Sequence, residues 1–202
     1  GFKNSGDDAL LQAIINDLKQ YKESPIIVVL SANPDETMEY YKVKSINRLN
    51  VLKIAKHMKK ADMLISGGGT LIKDRTSTKS LWYYLTVIAM AKKKNMKVML
   101  YSNGIGPLER KGNIKKTKKI LDKVDLITLR DERSYKTLHE IGIENKNVKV
   151  TADPALDLDI ADEKLGKAIL KNEGVPSDKK LLGVSVRKWQ NLGSDFETQI
   201  AK

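Results

Sequence analysis

The chain has 202 residues and a formal net charge of +12, from 37 Lys+Arg against 25 Asp+Glu. It has no cysteine and two histidines, His57 and His139, on separate lysine-rich stretches. Disulfides, thiolate catalysis and Cys-based metal sites are therefore excluded, and a His-based metal centre has too few ligands. No apolar run approaches the ~18 residues that a membrane span needs, and no secretory signal opens the chain, so the sequence reads as cytoplasmic.

Apolar Leu10, Leu11, Ile14, Ile15 and Leu18 recur at helical spacing after GFKNSGDD, with Ser5 placed as an N-cap and Asp8 three residues on. Ile26–Leu30 reads as a short strand between Pro25 and Asn33-Pro34. Val51, Leu52, Ile54, Ala55 and Met58 share a face of the next charged stretch. Strand Met63–Ser66 then runs into three glycines, followed by a helix around Ser80–Lys93. Strand Val98–Tyr101, helix 112–123, strand Leu126–Leu129, a helix in RDERSYKTLHEIG and strand Val148–Thr151 continue the alternation. ADPALDLDI reads as a loop. Short continuous apolar strands alternating with helices predict a parallel sheet covered on both faces, an α/β, Rossmann-like doubly wound fold.

The first helix has no strand before it, and the chain opens at Gly1 without Met and stops at Lys202 inside a helical pattern. Both features read as a fragment of a longer protein whose first strand precedes Gly1. After residue 160 the pattern restarts with helix 161–173 and strand Leu181–Val186, which predicts domains at 1–160 and 161–202.

MLISGGGTLIKDRTS is the segment richest in chemistry. A dinucleotide fingerprint fails, because its third glycine would fall at Ile72. A P-loop fails too, because Thr78 precedes Lys79-Ser80 and Lys73 stands where the first glycine belongs. Backbone freedom at the carboxyl end of a strand remains, and open α/β sheets bind ligands there. A ligand site and a tight packing turn both fit. The basic run ERKGNIKKTKK (109–119) fits a solvated helix face, a surface for anionic lipid or a diphosphate, or nucleic acid. With 31 Lys and only 6 Arg, bidentate phosphate and base recognition is poorly served.

Five blocks together, GFKNSGDDALLQAII, ISGGGTLIKDRTSTKSLWYYL, YSNGIGPL, VDLITLRDERSYKTLHEIGI and VKVTADPAL, resemble the polysaccharide pyruvyl transferase family, in its bacterial cell-wall branch. The resemblance runs through nearly the whole chain in the family's order. It implies the amino-terminal part of a two-domain, glycosyltransferase-B-like enzyme. It further implies transfer of pyruvate from phosphoenolpyruvate to N-acetylmannosamine in a lipid-linked wall-polymer precursor, giving a ketal and phosphate in a pathway that anchors surface-layer proteins. Phosphoenolpyruvate is then the donor substrate, and neither cofactor nor metal is expected. The implied partner is the lipid-linked acceptor; from the basic run, peripheral contact with an anionic membrane at its cytoplasmic face is expected, and nucleic acid is not. By this plan the acceptor lies mainly on residues 1–160, and this portion alone is expected to fold without turning over.

Under that resemblance Asp7 is the expected acceptor-hydroxyl base or orienter, against a capping role for its segment. Arg130 is expected in catalysis or anion binding, against a surface ion pair with Asp131 or Glu132. Gly67, Gly68, Gly69, Thr70, Asp74, Asn103, Gly104, Arg133 and Arg187 are expected to line the substrates. Asp153-Pro154 reads as a turn-former, Trp82-Tyr83-Tyr84 as a packed helix face, and His57 and His139 as solvated. Two other readings stay open, a nucleotide-sugar glycosyltransferase of the same architecture and a non-catalytic wall-polymer-binding domain.

Overall fold

A computed structural model describes residues 4–160, 162–176 and 179–184. The chain divides into two compact units, Gly1–Leu158 and Asp159–Lys202. In the second, helix α7 (Glu163–Asn172) starts at an Asp162 cap whose carboxylate accepts from the Lys164 amide at 2.8 Å. Residues 181–184 carry no strand, and the rest of the strand expected there lies outside the described residues, as does Arg187.

The first unit alternates helix and strand: α1 (Ser5–Lys19), β1 (Val28–Ser31), α2 (Pro34–Tyr41), β2 (Lys44–Asn47), α3 (Val51–Met58), β3 (Met63–Gly67), α4 (Thr78–Lys93), β4 (Lys97–Asn103), α5 (Lys111–Leu121), β5 (Leu126–Leu129), α6 (Glu132–Glu140) and β6 (Val148–Val150). A 3-10 turn, Pro154–Asp157, follows. β1 pairs with β2, and β3-β4-β5-β6 form a second sheet in that order. Every pairing is parallel.

Helices lie on both faces of the larger sheet. Val98 and Leu100 of β4 join Leu81, Leu85 and Ile88 of α4, Leu121 of α5 and Leu138 of α6 in one buried core. Tyr101, of the opposite parity, bonds instead to Asp17 of α1. Each fully buried aliphatic side chain of this kind contributes about 1.5–3 kcal/mol. The mixed α/β, Rossmann-like architecture expected from the alternation is present.

Three features depart from the sequence reading. Asn33-Pro34 does not merely bound a strand: Pro34 opens helix α2, where its missing N–H costs nothing and its fixed φ suits the first turn. β2, KSIN, was hidden because it is short and carries only one apolar residue, Ile46. The α1 cap is Asn4, whose side chain accepts from the Gly6 amide at 3.1 Å; Ser5 is already the first helical residue.

One buried carboxylate fixes the long connection after β3. Asp74 is 2% exposed and accepts from the amides of Glu109 (2.9 Å) and Arg110 (3.1 Å) and from Asn113 Nδ2 (2.8 Å). It thereby ties the β3–α4 loop to the entrance of α5, whose own first turn has no acidic residue. Burial works to raise this carboxyl, but the bonds from Asn113, Glu109 and Arg110 outweigh it and hold it below its ordinary value of 3.8. A depressed carboxyl stabilises the fold at neutral pH, and that stability fades as the pH falls below the ordinary value. Asp74→Ala, which strands two amides and an amide side chain, is expected to cost about 2–4 kcal/mol in denaturant unfolding. Asp74→Asn should cost less and flatten the loss of stability on acidification; unchanged stability in both variants contradicts this role.

Candidate functional site

Parallel strands deliver their carboxyl ends to one edge, and the loops leaving β3, β4, β5 and β6 meet there. The first two are zipped together past the strands. Gly104 N–H donates to Gly69 O at 2.9 Å, Gly106 N–H donates to Ile72 O at 2.8 Å, and Ile72 bridges Ile105.

A bulge then re-aims β4. Its register against β5 shifts between Leu100 and Asn103, and Ser102 sits in the left-handed region at φ 46°. Such backbone is costly for a non-glycine residue and is held by its surroundings. Here the Ser102 amide donates to Thr128 Oγ1 at 2.7 Å, and its hydroxyl meets Thr151 Oγ1 at 3.0 Å.

At the centre lies the Arg130 guanidinium, which reaches three of its neighbours. Nη2 donates to Thr70 Oγ1 at 3.0 Å, Nη1 to Asp153 Oδ2 at 3.2 Å, and Nε lies 3.4 Å from Asp131 Oδ2. Gly104 supplies the floor: a Cβ there would stand 2.6 Å from Thr70 Oγ1 and 3.2 and 3.3 Å from Arg130 Nε and Nη2. A side chain at 104 would crowd both Thr70 and the guanidinium. Asp153 divides its oxygens, Oδ1 accepting from the Ala155 amide at 3.1 Å to cap the 3-10 turn and Oδ2 taking Arg130. Asp131 caps α6 through the Ser134 amide at 2.7 Å. Burial pushes the Asp131 carboxyl up, but its bonds to Ser134 and the charge of Arg130 bring it below the ordinary range. Two carboxylates around one guanidinium leave this spot with a local excess of negative charge.

The glycine triplet serves the helix above it. A Cβ on Gly67 would meet Ile14 Cδ1 at 2.4 Å, and one on Gly68 would meet Leu10 Cβ at 3.0 Å. Gly68 and Gly69 also adopt φ of +68° and +66°. Ile14 and Leu10 of α1 thus lie close against Gly67 and Gly68. Asp7 is exposed one turn before Leu10, which packs on Gly68. It stands near Tyr84, whose phenol is pushed up by burial first and by Asp7 in part.

The expected residues thus fall into groups. Thr70, Gly104 and Arg130 come together, and Asp153, read as a turn-former, joins them. Asp74 is occupied inside the fold. Asn103 is fully buried, its amide donating to Ser66 O and Tyr101 O, while its Oδ1 has no partner among the described residues. Arg133 is exposed on the first turn of α6. Among the described residues no group of three or more His, Asp or Glu is placed to hold a metal ion. No helix among them is long and apolar enough to cross a membrane.

A family model described as polysaccharide pyruvyl transferase matches residues 4–197. The chain belongs to the polysaccharide pyruvyl transferase family. Comparison with curated proteins and with solved structures returned no match. Membership in this transferase family supports an enzyme, and the acceptor class it indicates is a polysaccharide. Within this family member the Arg130 arrangement spans the loops after β3, β4, β5 and β6.

The close fit at Gly104 makes a measurable coupling. Gly104→Ala is expected to destabilise the first unit by about 1–3 kcal/mol through overpacking. Thr70→Ala in the same chain should recover part of that loss, giving a coupling of at least about 0.5 kcal/mol in a double-mutant cycle. Additive effects would contradict the shared contact.

Proposed function

We propose that this pyruvyl transferase moves pyruvate from phosphoenolpyruvate onto an N-acetylmannosamine residue of a lipid-linked wall-polysaccharide precursor. The methylene carbon of the donor takes a proton and becomes the methyl group. Two acceptor hydroxyl oxygens bond to C2, and the C2–O bond to phosphate breaks. Of the two hydroxyl protons, one is balanced by the new methyl hydrogen and the other leaves with phosphate.

The observation that carries the reading is the family match over residues 4–197, taken with a polar site at the carboxyl edge of the sheet. The charge around Arg130 supports an acceptor role for this edge. Phosphoenolpyruvate is itself an anion and is poorly served by a guanidinium already shared between Asp131 and Asp153. A neutral sugar offers hydroxyls that carboxylates can accept from, and deprotonating those hydroxyls requires a nearby base. Asp153, fixed by Arg130, and Asp7, on the helix above the glycine loop, are the two carboxylates suited to orient or deprotonate the acceptor. In this scheme Arg130 acts chiefly as a positioning residue for Asp153 and Thr70.

The test is phosphate release from phosphoenolpyruvate by the full-length protein, with and without an N-acetylmannosamine-containing acceptor. Release is expected only with acceptor. Arg130→Ala should lower kcat/KM by roughly 10²–10³-fold, and Arg130→Lys should rescue it poorly, because an ammonium cannot span both partners. Asp7→Asn and Asp153→Asn should each lower kcat by about tenfold or more. Acceptor-independent release, or turnover of a nucleotide sugar instead, would overturn the proposal.

A further inference from the structure

Helix α5 presents a basic ridge that the site does not use. Lys111, Lys115 and Lys119 recur every four residues and are exposed, while Asn113, Thr117 and Leu121 are buried on the opposite side. Between residues 109 and 123 seven Lys and Arg face only Glu109 and Asp122. Among the described residues Lys118 is the α5 lysine with carboxylate partners, Asp122 and Glu144, both at 3.1 Å.

This arrangement works against the helix that carries it. Lysines four apart repel along the ridge. Lys111 also sits in a first turn that has no acidic residue, where the helix dipole favours negative charge. A solvated helix face normally relieves such repulsion with interspersed acids. Beside the ridge stands Trp82 of α4, 48% exposed. Its indole N–H donates to Asn113 Oδ1 at 2.9 Å, and Lys116 Nζ lies 4.5 Å from the ring centroid. A half-exposed indole held at the border of a lysine ridge is the combination suited to the headgroup layer of a bilayer, where amphipathic aromatic rings and lysines both settle.

We infer that the α5 ridge, with Trp82 at its margin, is a docking surface for a membrane rich in anionic phospholipid. Charge complementarity selects this occupant. Lysine, unlike arginine, attracts a lipid surface without demanding planar, bidentate partners, and the ridge has no row of aromatic rings for stacking bases. The inference fits the lipid-linked acceptor of the proposed function but depends on no turnover, so either can fail alone.

The experiment is co-sedimentation of the 202-residue chain with vesicles of phosphatidylcholine alone or mixed with phosphatidylglycerol. Partitioning at least tenfold stronger onto the mixed vesicles is expected, weakening as salt is raised. The triple variant K111E/K115E/K119E should lose at least tenfold, with an unchanged circular dichroism spectrum. A control of equal charge, K22E/K44E/K60E, should keep most of the binding. In a Trp189→Phe background, Trp82 emission should shift to the blue on the mixed vesicles. Equal partitioning onto both vesicle types, equal loss in the control, or no Trp82 shift would overturn the inference. So would tighter binding to duplex DNA than to vesicles at the same ionic strength, lost in the same triple variant.

Discussion

The guanidinium of Arg130 sits where four parallel strands end, and the arrangement of the edge depends on how it is held. It arrives from β5, rests on the β4 loop because Gly104 has no side chain, and bonds to Thr70 after β3 and Asp153 after β6. The loops themselves contribute little regular structure. Their positions follow from the register of the sheet, the zipper of Gly69 and Ile72 with Gly104 and Gly106, and this one charged side chain. Removing it would leave Asp153 and Thr70 without the partner that links them across the sheet.

Charge is divided unevenly over the first unit. The chain as a whole is strongly basic, yet at the carboxyl edge two carboxylates surround one guanidinium. The lysines collect elsewhere, most densely on the outer side of α5. A local excess of carboxylate in a basic chain favours hydroxyl-bearing ligands at the edge and anionic surfaces on the helix. On this account the acceptor sugar and the anionic donor are recognised by different parts of the enzyme.

Much of the fold was legible because continuous apolar runs and helical spacing both report burial. β3 and β5 fell within a residue of their expected limits, and α4, α5 and α6 within two or three. β2 was not legible, since three of its four residues are polar and the single Ile46 sets up no apolar pattern. Arg130 could be singled out from its place after an apolar strand. Asp131 could be read as a partner from its adjacency, but Thr70 and Asp153 could not, because they lie on loops distant in sequence. Asp153 was the least legible of all. Its Asp-Pro context does describe a turn, and one oxygen serves that turn while the other takes Arg130. At the glycine triplet the composition fitted both a ligand site and a packing turn, and Ile14 and Leu10 of α1 lie against Gly67 and Gly68.

The central claim, that this edge receives a neutral saccharide acceptor and not the anionic donor, can be tested without turnover. Amide chemical shifts of the 15N-labelled chain would be followed during titration with an N-acetylmannosamine-containing disaccharide, and separately with phosphoenolpyruvate. The account predicts saturable shifts at Thr70, Gly104, Asp131 and Ala155 with the saccharide, and weak or absent shifts there with phosphoenolpyruvate at equal concentration. Saturable shifts at these amides with phosphoenolpyruvate, and none with the saccharide, would contradict it.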